Sequence, residues 1–211
     1  MPPSAPERTS NVVRPAAFQR ADGELVVAAR HGDAGAQAQI FDRHAPHVTR
    51  VLARILGAER ELADLVHDVF VMAFRDLARL SDEDALKAWL SAIAVNTARG
   101  HIRRRSRRRW LRFFAPEDMP EAPSGAADEE TREAVRATYA VLDRMDPEER
   151  IPFALRFIEG MELTEVASAC GVSLATIKRR LGRAEAAFLE GARAHAVLES
   201  WISGGARWSE S

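Results

Sequence analysis

The stretch Leu163 to Leu181, read as LTEVASACGVSLATIKRRL, constrains this chain more than any other. It predicts a helix, a tight turn at Cys170-Gly171, and a second helix beginning at Ser173. Val166, Ala167 and Val172 are small or branched apolar residues suited to packing the two helices together. Ile177, Leu181 and Ala184 recur at helical spacing and face inward. Thr176, Lys178, Arg179, Arg180 and Arg183 lie largely off that stripe. A short helix, a glycine turn and a second helix with a basic outer face is the pattern of a DNA-binding helix-turn-helix.

The rest of the chain reads as helices too. Leu25, Val26, Ala29 and Ala36 suggest a helix broken around Gly32 and Gly35. Ile40, Phe41, His44, Val48, Val51, Leu52 and Ile55 continue as a long helix stopped at Gly57. In ERELADLVHDVFVMAFRDLARL, Leu62, Leu65, Val66, Val69, Phe70, Ala73, Phe74 and Leu77 repeat at three and four. The opposite face of that helix holds Asp64, His67, Asp68 and Arg75. After Leu80 a polar loop or short turn, SDEDALKAW, leads into a helix from about Ala85 through Trp89, Leu90, Ile93, Ala94 and Ala98.

Downstream, Ala134, Val135, Tyr139, Leu142 and Met145 mark one more helix. Asp146-Pro147-Glu148-Glu149 then gives a strong start: a capping Asp, a Pro in the first turn, and Glu149 placed for a capping box. The helix it opens runs through Phe153, Leu155 and Phe157 to Gly160. No alternating run bounded by hairpin turns occurs, so the expected fold is all-α, in two small helical domains. The expected boundaries are a disordered leader at 1–20, a first domain at 21–112, a flexible acidic linker at 113–130, a helix-turn-helix domain at 131–190 and an extension at 191–211.

Net charge is −1, which by itself argues against nucleic acid as a partner, but the distribution reverses that reading. Arg103, Arg104, Arg105, Arg107, Arg108, Arg109 and Arg112 crowd together, and an acidic run from Glu117 to Glu133 follows. The two blocks cancel in the sum and not in space. Cys170 is the only cysteine, which excludes an internal disulfide and fits a reducing cytoplasm. At a turn it reads as a small core residue; a redox switch is the sharper alternative. The N-terminus lacks a signal-peptide core, and no stretch approaches the about 20 apolar residues of a membrane span.

Three segments, DLVHDVFVMAFR (Asp64 to Arg75), AWLSAIAVNTARGHIRRR (Ala88 to Arg105) and LTEVASACGVSLATIKRRLGRA (Leu163 to Ala184), resemble in order and spacing the bacterial extracytoplasmic-function sigma factors. These are the smallest members of the sigma-70 family. The likeness covers roughly residues 22 to 190. It implies a non-catalytic subunit of RNA polymerase, without cofactor or metal, that reads and opens the minus-ten element with its first domain. The second domain would read the minus-thirty-five element.

The resemblance also implies roles for individual residues. Asp64, His67, Asp68, Phe70 and Arg75 would contact the polymerase core, chiefly the clamp helices of the beta-prime subunit, with the beta subunit as a further partner. Relatives usually carry glutamine and glutamate where His67 and Asp68 stand. Residues Leu80 to Lys87 correspond to the loop that captures a flipped base, with Ser81 and Asp82 as candidate contacts. Asn96, Arg99, His101, Arg103 and Arg104 would grip the melted strand and its phosphates. Trp89 and Ile93 are expected to pack the core rather than stack on bases. Ser173 would cap the recognition helix, and Thr176, Lys178, Arg179, Arg180 and Arg183 would meet the upstream element. Relatives often have a small residue at 179 and a histidine at 182; Arg179 and Gly182 here imply a different sequence read. The acidic linker would thread toward the RNA exit channel. An anti-sigma factor is the expected regulator, and the tail with Ala196, Leu198, Trp201, Ile202 and Trp208 either packs on the second domain or meets such a partner.

Two other classes stand beside this one. The chain can be read as a helix-turn-helix regulator that binds duplex DNA without joining polymerase. His67-Asp68 can also be read as part of a metal-dependent phosphohydrolase, but no further histidine and aspartate set follows.

Overall fold

The computed structural model describes residues 21–111 and 129–199, with the side chains of residues 108–111 excepted. The expected leader, linker segment 113–128 and Trp201, Ile202 and Trp208 lie outside the described residues, as do the side chains of Arg108, Arg109 and Arg112. Among the described residues every regular element is helical.

The first region comprises α1 (Asp22–Arg30), α2 (Ala34–Leu56), α3 (Leu62–Asp76) and α4 (Leu86–Leu111). The break after α1 falls at Gly32, whose φ of +85° is a left-handed geometry that suits glycine. Asp33 then caps α2, accepting from the N–H groups of Gly35 and Ala36 at 2.8 and 3.0 Å. Leu25, Val26, Ile40, Val48, Val51, Leu52, Ile55, Val69 and Leu90 are fully enclosed. His44 sits on the same stripe and is tolerated there because its Nε2 meets Asp22 Oδ2 at 3.1 Å. Two short 3-10 turns, Leu77–Arg79 and Glu83–Ala85, carry the chain from α3 to α4.

The second region comprises α5 (Glu129–Leu142), α6 (Pro147–Phe153), α7 (Leu163–Cys170) and α8 (Leu174–Ala192). Asp146 caps α6 as expected, accepting from the Glu148 N–H at 2.8 Å. The expected capping box does not form: the Glu149 carboxylate turns away to Arg183, at 2.9 Å from its Nε. A full charge on the neighbouring helix outcompetes a single backbone N–H. Beyond α6 the helix widens at Ala154–Ile158, where the Glu159 N–H reaches back five residues to the Ala154 carbonyl at 2.9 Å.

The turn of the helix-turn-helix is built as the sequence predicts. Gly171 has a φ of +66°, and Ser173 Oγ accepts from the Thr176 N–H at 3.2 Å. Phe153, Phe157 and Phe188 form an aromatic centre, with Phe153 and Phe188 stacked at 4.6 Å. Ala134, Ala137, Val141, Leu142, Met145, Ala184, Ala192 and Leu198 surround it. Leu198 therefore packs on the second region, the plainer of the two readings for the start of the tail.

The two regions also touch each other, a contact of which the residues carry a single trace. A continuous apolar cluster passes from Leu90, Ala94 and Ala98 of α4 to Ile151, Leu155, Val166, Ala169, Cys170 and Ile177. At its rim lies Arg150, only 3 % exposed. The last carbonyls of a helix lack intrahelical partners; at the end of α2, Arg150 supplies them, donating to Ile55 O at 2.9 Å and Leu56 O at 3.2 Å. Its remaining nitrogen pairs with Asp143 at 2.5 Å. Burial pulls the guanidinium below its usual range while Asp143 pushes it back. Beside it Tyr139 Oη donates to the Arg54 carbonyl at 3.2 Å, and Glu159 receives Arg50 at 2.7 Å.

Candidate nucleic-acid interface

Helix α4 positions the first candidate face. Its apolar stripe buries Leu90, Ala94, Val95 and Ala98, with Trp89 and Ile93 packed against the core from partly buried positions. Both are scaffold, as expected. That register leaves Asn96, Arg103 and Arg104 exposed and Arg99 part-buried. Arg99 Nη1 donates to Asn96 Oδ1 at 2.6 Å, so the two side chains are presented as a unit. His101 is different. It is 7 % exposed, with Nε2 at 3.0 Å from Glu59 Oε2, and so stands inside the first region rather than on the face of Arg103. The reason is the helical turn itself: position 101 follows Ala94 and Ala98 on the buried stripe.

The connector before α4 is held from behind. Arg30 donates to Leu77 O at 3.2 Å, to Leu80 O and to Glu83 Oε1 at 2.6 Å. Asp82 Oδ1 accepts from the Asp84 N–H at 3.1 Å. Ser81 and Asp82 are exposed. Glu83, one of four acidic or hydroxyl groups in the loop, is therefore committed to the scaffold, while Ser81 keeps an open hydroxyl position.

Helix α8 positions the second face. Ile177 and Leu181 point inward, leaving Lys178, Arg179 and Arg183 exposed, with Thr176 and Arg180 part-buried. Ser173 is spent on capping, shared between the Thr176 N–H and its Oγ1 at 3.0 Å.

The two faces converge on one carboxylate that the sequence reading missed as a site. Glu148 Oε2 lies 2.7 Å from Arg180 Nη1, and Oε1 lies 3.0 Å from Arg99 Nε and 3.5 Å from Arg103 Nη2. The Arg99 contact is close but misaligned, and its Nε–H makes no hydrogen bond. Arg105 joins nearby, 3.4 Å from Glu59 and 3.8 Å from Asp143. A small cleft of about 60 Å³ opens here, lined among others by His101, Arg105, Asp143 and Arg150; Asp143 takes Arg105 and Arg150, and Glu59 takes His101 and Arg105. Cys170 lies in the same neighbourhood: burial, opposed by Arg99 and Arg180, pushes its thiol up to about 11. At neutral pH it is a protonated core residue, which leaves the redox reading without a thiolate.

Helix α3 turns the other way. Asp64, His67, Asp68 and Arg75 are exposed, and Val71 beside them is 50 % exposed. Phe70 is not on that surface: it is 2 % exposed, with its ring 4.7 Å from Phe41. It belongs to the apolar stripe, so its place in the polymerase-facing set is corrected to a supporting one. Among the described residues no group of three or more His, Cys, Asp or Glu is arranged to hold a metal, so His67-Asp68 gains no partners for a metal-dependent reading. No helix among them is long and apolar enough to cross a membrane.

Comparison with known proteins agrees with this layout. The family model for Sigma-70 region 2 matches residues 40–108, and that for Sigma-70, region 4 matches residues 136–188. The chain is 32 % identical over 179 residues to the RNA polymerase sigma factor CnrH of Cupriavidus metallidurans, covering 80 % of this chain and 84 % of that one. It is 31 % identical over 170 residues to the ECF RNA polymerase sigma factor SigM of Mycobacterium tuberculosis, covering 80 % and 83 %. The solved structure of CnrH in complex with the cytosolic domain of CnrY superposes with a TM-score of 0.57 at 26 % identity, over 84 % of this chain and 100 % of that one. With both sigma regions present in order on an all-α chain, the protein belongs to the extracytoplasmic-function RNA polymerase sigma factors of the sigma-70 family, which direct the polymerase to promoters.

Proposed function

We propose that this sigma factor docks on core RNA polymerase through the outer face of α3, with Asp64, His67 and Asp68 as contacts and Arg75 at the edge. The observation that carries this is the arrangement of those three side chains at spacings of three and four, all exposed, on a helix whose other face is core. Acidic groups there complement basic residues on the partner and set register. Promoter opening falls to the exposed Ser81 and Asp82 of the connector and to Asn96, Arg99, Arg103 and Arg104 of α4. The arginines bind phosphates and Asn96 reads a base edge. Thr176, Lys178, Arg179, Arg180 and Arg183 of α8 anchor the upstream element, with Ser173 fixing the helix start. The working units are 21–112 and 131–190, joined by 113–130, with 1–20 and 191–211 outside them.

The chain works by recognition, carries no catalytic chemistry of its own, and acts in the cytoplasm where the polymerase is. An anti-sigma factor is its proposed regulator, supported by the related CnrH having been solved with the cytosolic domain of a second protein. The test is reconstitution. Core polymerase plus this chain should initiate from a cognate promoter, and neither should do so alone. Failure to bind core, combined with tight binding of the free chain to a duplex operator, would overturn this in favour of a regulator that never joins polymerase.

A further inference from the structure

We propose that Glu148 is an internal latch: it occupies the place of nucleic-acid phosphate between the two DNA-reading faces and holds them closed in the free protein. The proposal rests on the reading of Arg99, Arg103 and Arg180 as DNA contacts. Those three cations come from two helices far apart in sequence, and all point at one carboxylate, at 3.0, 3.5 and 2.7 Å. A carboxylate and a phosphate present the same kind of oxygen acceptors to guanidinium. The site is shielded but not sealed, with Glu148 29 % exposed and Arg99 and Arg180 each 17 % exposed. Beneath it the α4–α7 seam is apolar, so closure also buries surface.

Its neighbour Glu149 makes a useful contrast. It binds Arg183 at 2.9 Å, wholly within the second region, and bridges nothing. The outer face of α3 lies outside the closure: Asp64, His67 and Asp68 are exposed. The free chain is therefore built to meet polymerase while three of its DNA contacts, Arg99, Arg103 and Arg180, are engaged by Glu148. DNA binding and closure draw on the same arginines and exclude one another, so the closed population lowers apparent DNA affinity in proportion. The misaligned Arg99 contact makes the latch releasable.

The test uses the full chain with Cys170→Ala, spin labels on Ala38→Cys and Ala186→Cys, both exposed positions, and a short random-sequence DNA duplex as the probe. Glu148→Gln should shift the label distances toward longer values and raise duplex affinity on the order of tenfold, as expected for losing a shielded charge pair. Glu149→Gln should leave the distances unchanged. A second variant separates opening from simple charge removal. Arg50→Glu with Arg54→Glu repels Glu159 across the seam while making the chain more acidic, so direct electrostatics would weaken DNA binding. A rise in affinity with longer distances in that variant supports the latch. Unchanged distances in Glu148→Gln, or equally lengthened distances in Glu149→Gln, overturn it. If the chain neither binds core nor initiates, the functional reading fails while the distances still report on the latch. Normal initiation with distances that ignore Glu148 removes the latch alone.

Discussion

The outer face of α3 and the inner faces of α4 and α8 are all charged helix surfaces, yet they stand in opposite conditions. On α3, Asp64, His67 and Asp68 project into water above a core of Leu65, Val66, Val69 and Phe70. On α4 and α8, Arg99, Arg103 and Arg180 close on Glu148. The difference is one of partners rather than of composition. On the proposed roles, the surface that meets polymerase is left solvated, while three arginines of the surfaces that meet DNA are already paired with an anion of the chain itself. The proposed latch then orders events: polymerase first, promoter second.

The largest effect is expected on the solvated side of this contrast. Reversing Asp64 and Asp68 to arginine should weaken core binding by roughly a hundredfold, because like charges at a complementary surface cost several kcal/mol. Helical content and the label distances in the free chain should be unchanged. Loss of fold in that variant would show that the acids support α3 itself. The next effect belongs to the seam. Arg150→Ala leaves the Ile55 and Leu56 carbonyls without their donor and Asp143 with the longer Arg105 contact at 3.8 Å, and should cost about 2 kcal/mol in denaturant unfolding, the scale of buried acceptors left unpaired. An effect near zero would mean that the closed arrangement contributes nothing to stability.

Gly57→Ala comes third. The residue has a φ of +80°, and a methyl group there would lie 2.7 Å from the Tyr139 ring. With ψ at −150° this is a region essentially reserved for glycine, and conformational strain alone predicts a cost on the order of 1 kcal/mol. Clash with Tyr139 should in addition loosen the seam, visible as longer label distances; strain without loosening would confine the role of Gly57 to ending α2.

A fourth effect appears only on acidification, as a pH limb. Burial, helped by Lys87 and Arg50, lowers the His47 imidazole from 6.5 to about 4. The folded chain thus binds fewer protons here than the unfolded one between those values. Stability from neutral His47 is fully present above 6.5 and is lost as pH falls toward 4. His47→Gln should flatten that part of a stability–pH curve, provided the glutamine keeps the bond to Ser91 Oγ, now 2.8 Å from Nε2. An unaltered curve would assign the limb to other groups.

Much of this was legible in the residues. The apolar stripes of α2 and α3, the stop at Gly57, the Asp146-Pro147 start and the Gly171 turn are local signals, and local physics answers them. The seam is not local. Arg150 meets carbonyls about a hundred positions upstream, at a separation of 95 residues for Ile55, and no spacing rule reaches that far. Its one trace is an arginine on the stripe of Phe153, Ala154 and Phe157, where burial demands a partner. Phe70 and His101 erred in a different way. Their proposed roles came with the family likeness, whereas their own positions fall on buried stripes, and packing decides. Glu148 escaped notice because a glutamate in the first turn of a helix already has an ordinary explanation in the helix dipole.

Central to this mechanism is whether the two DNA-reading faces are closed in the free chain and open at work. The direct measurement is the distance between labels on Ala38→Cys and Ala186→Cys, taken on the free protein, on its complex with core polymerase, and after promoter DNA is added. A short, narrow distribution in the free chain that lengthens once polymerase and promoter are bound is the predicted result. A long, broad distribution in the free chain, or the same short one in the promoter complex, would contradict it.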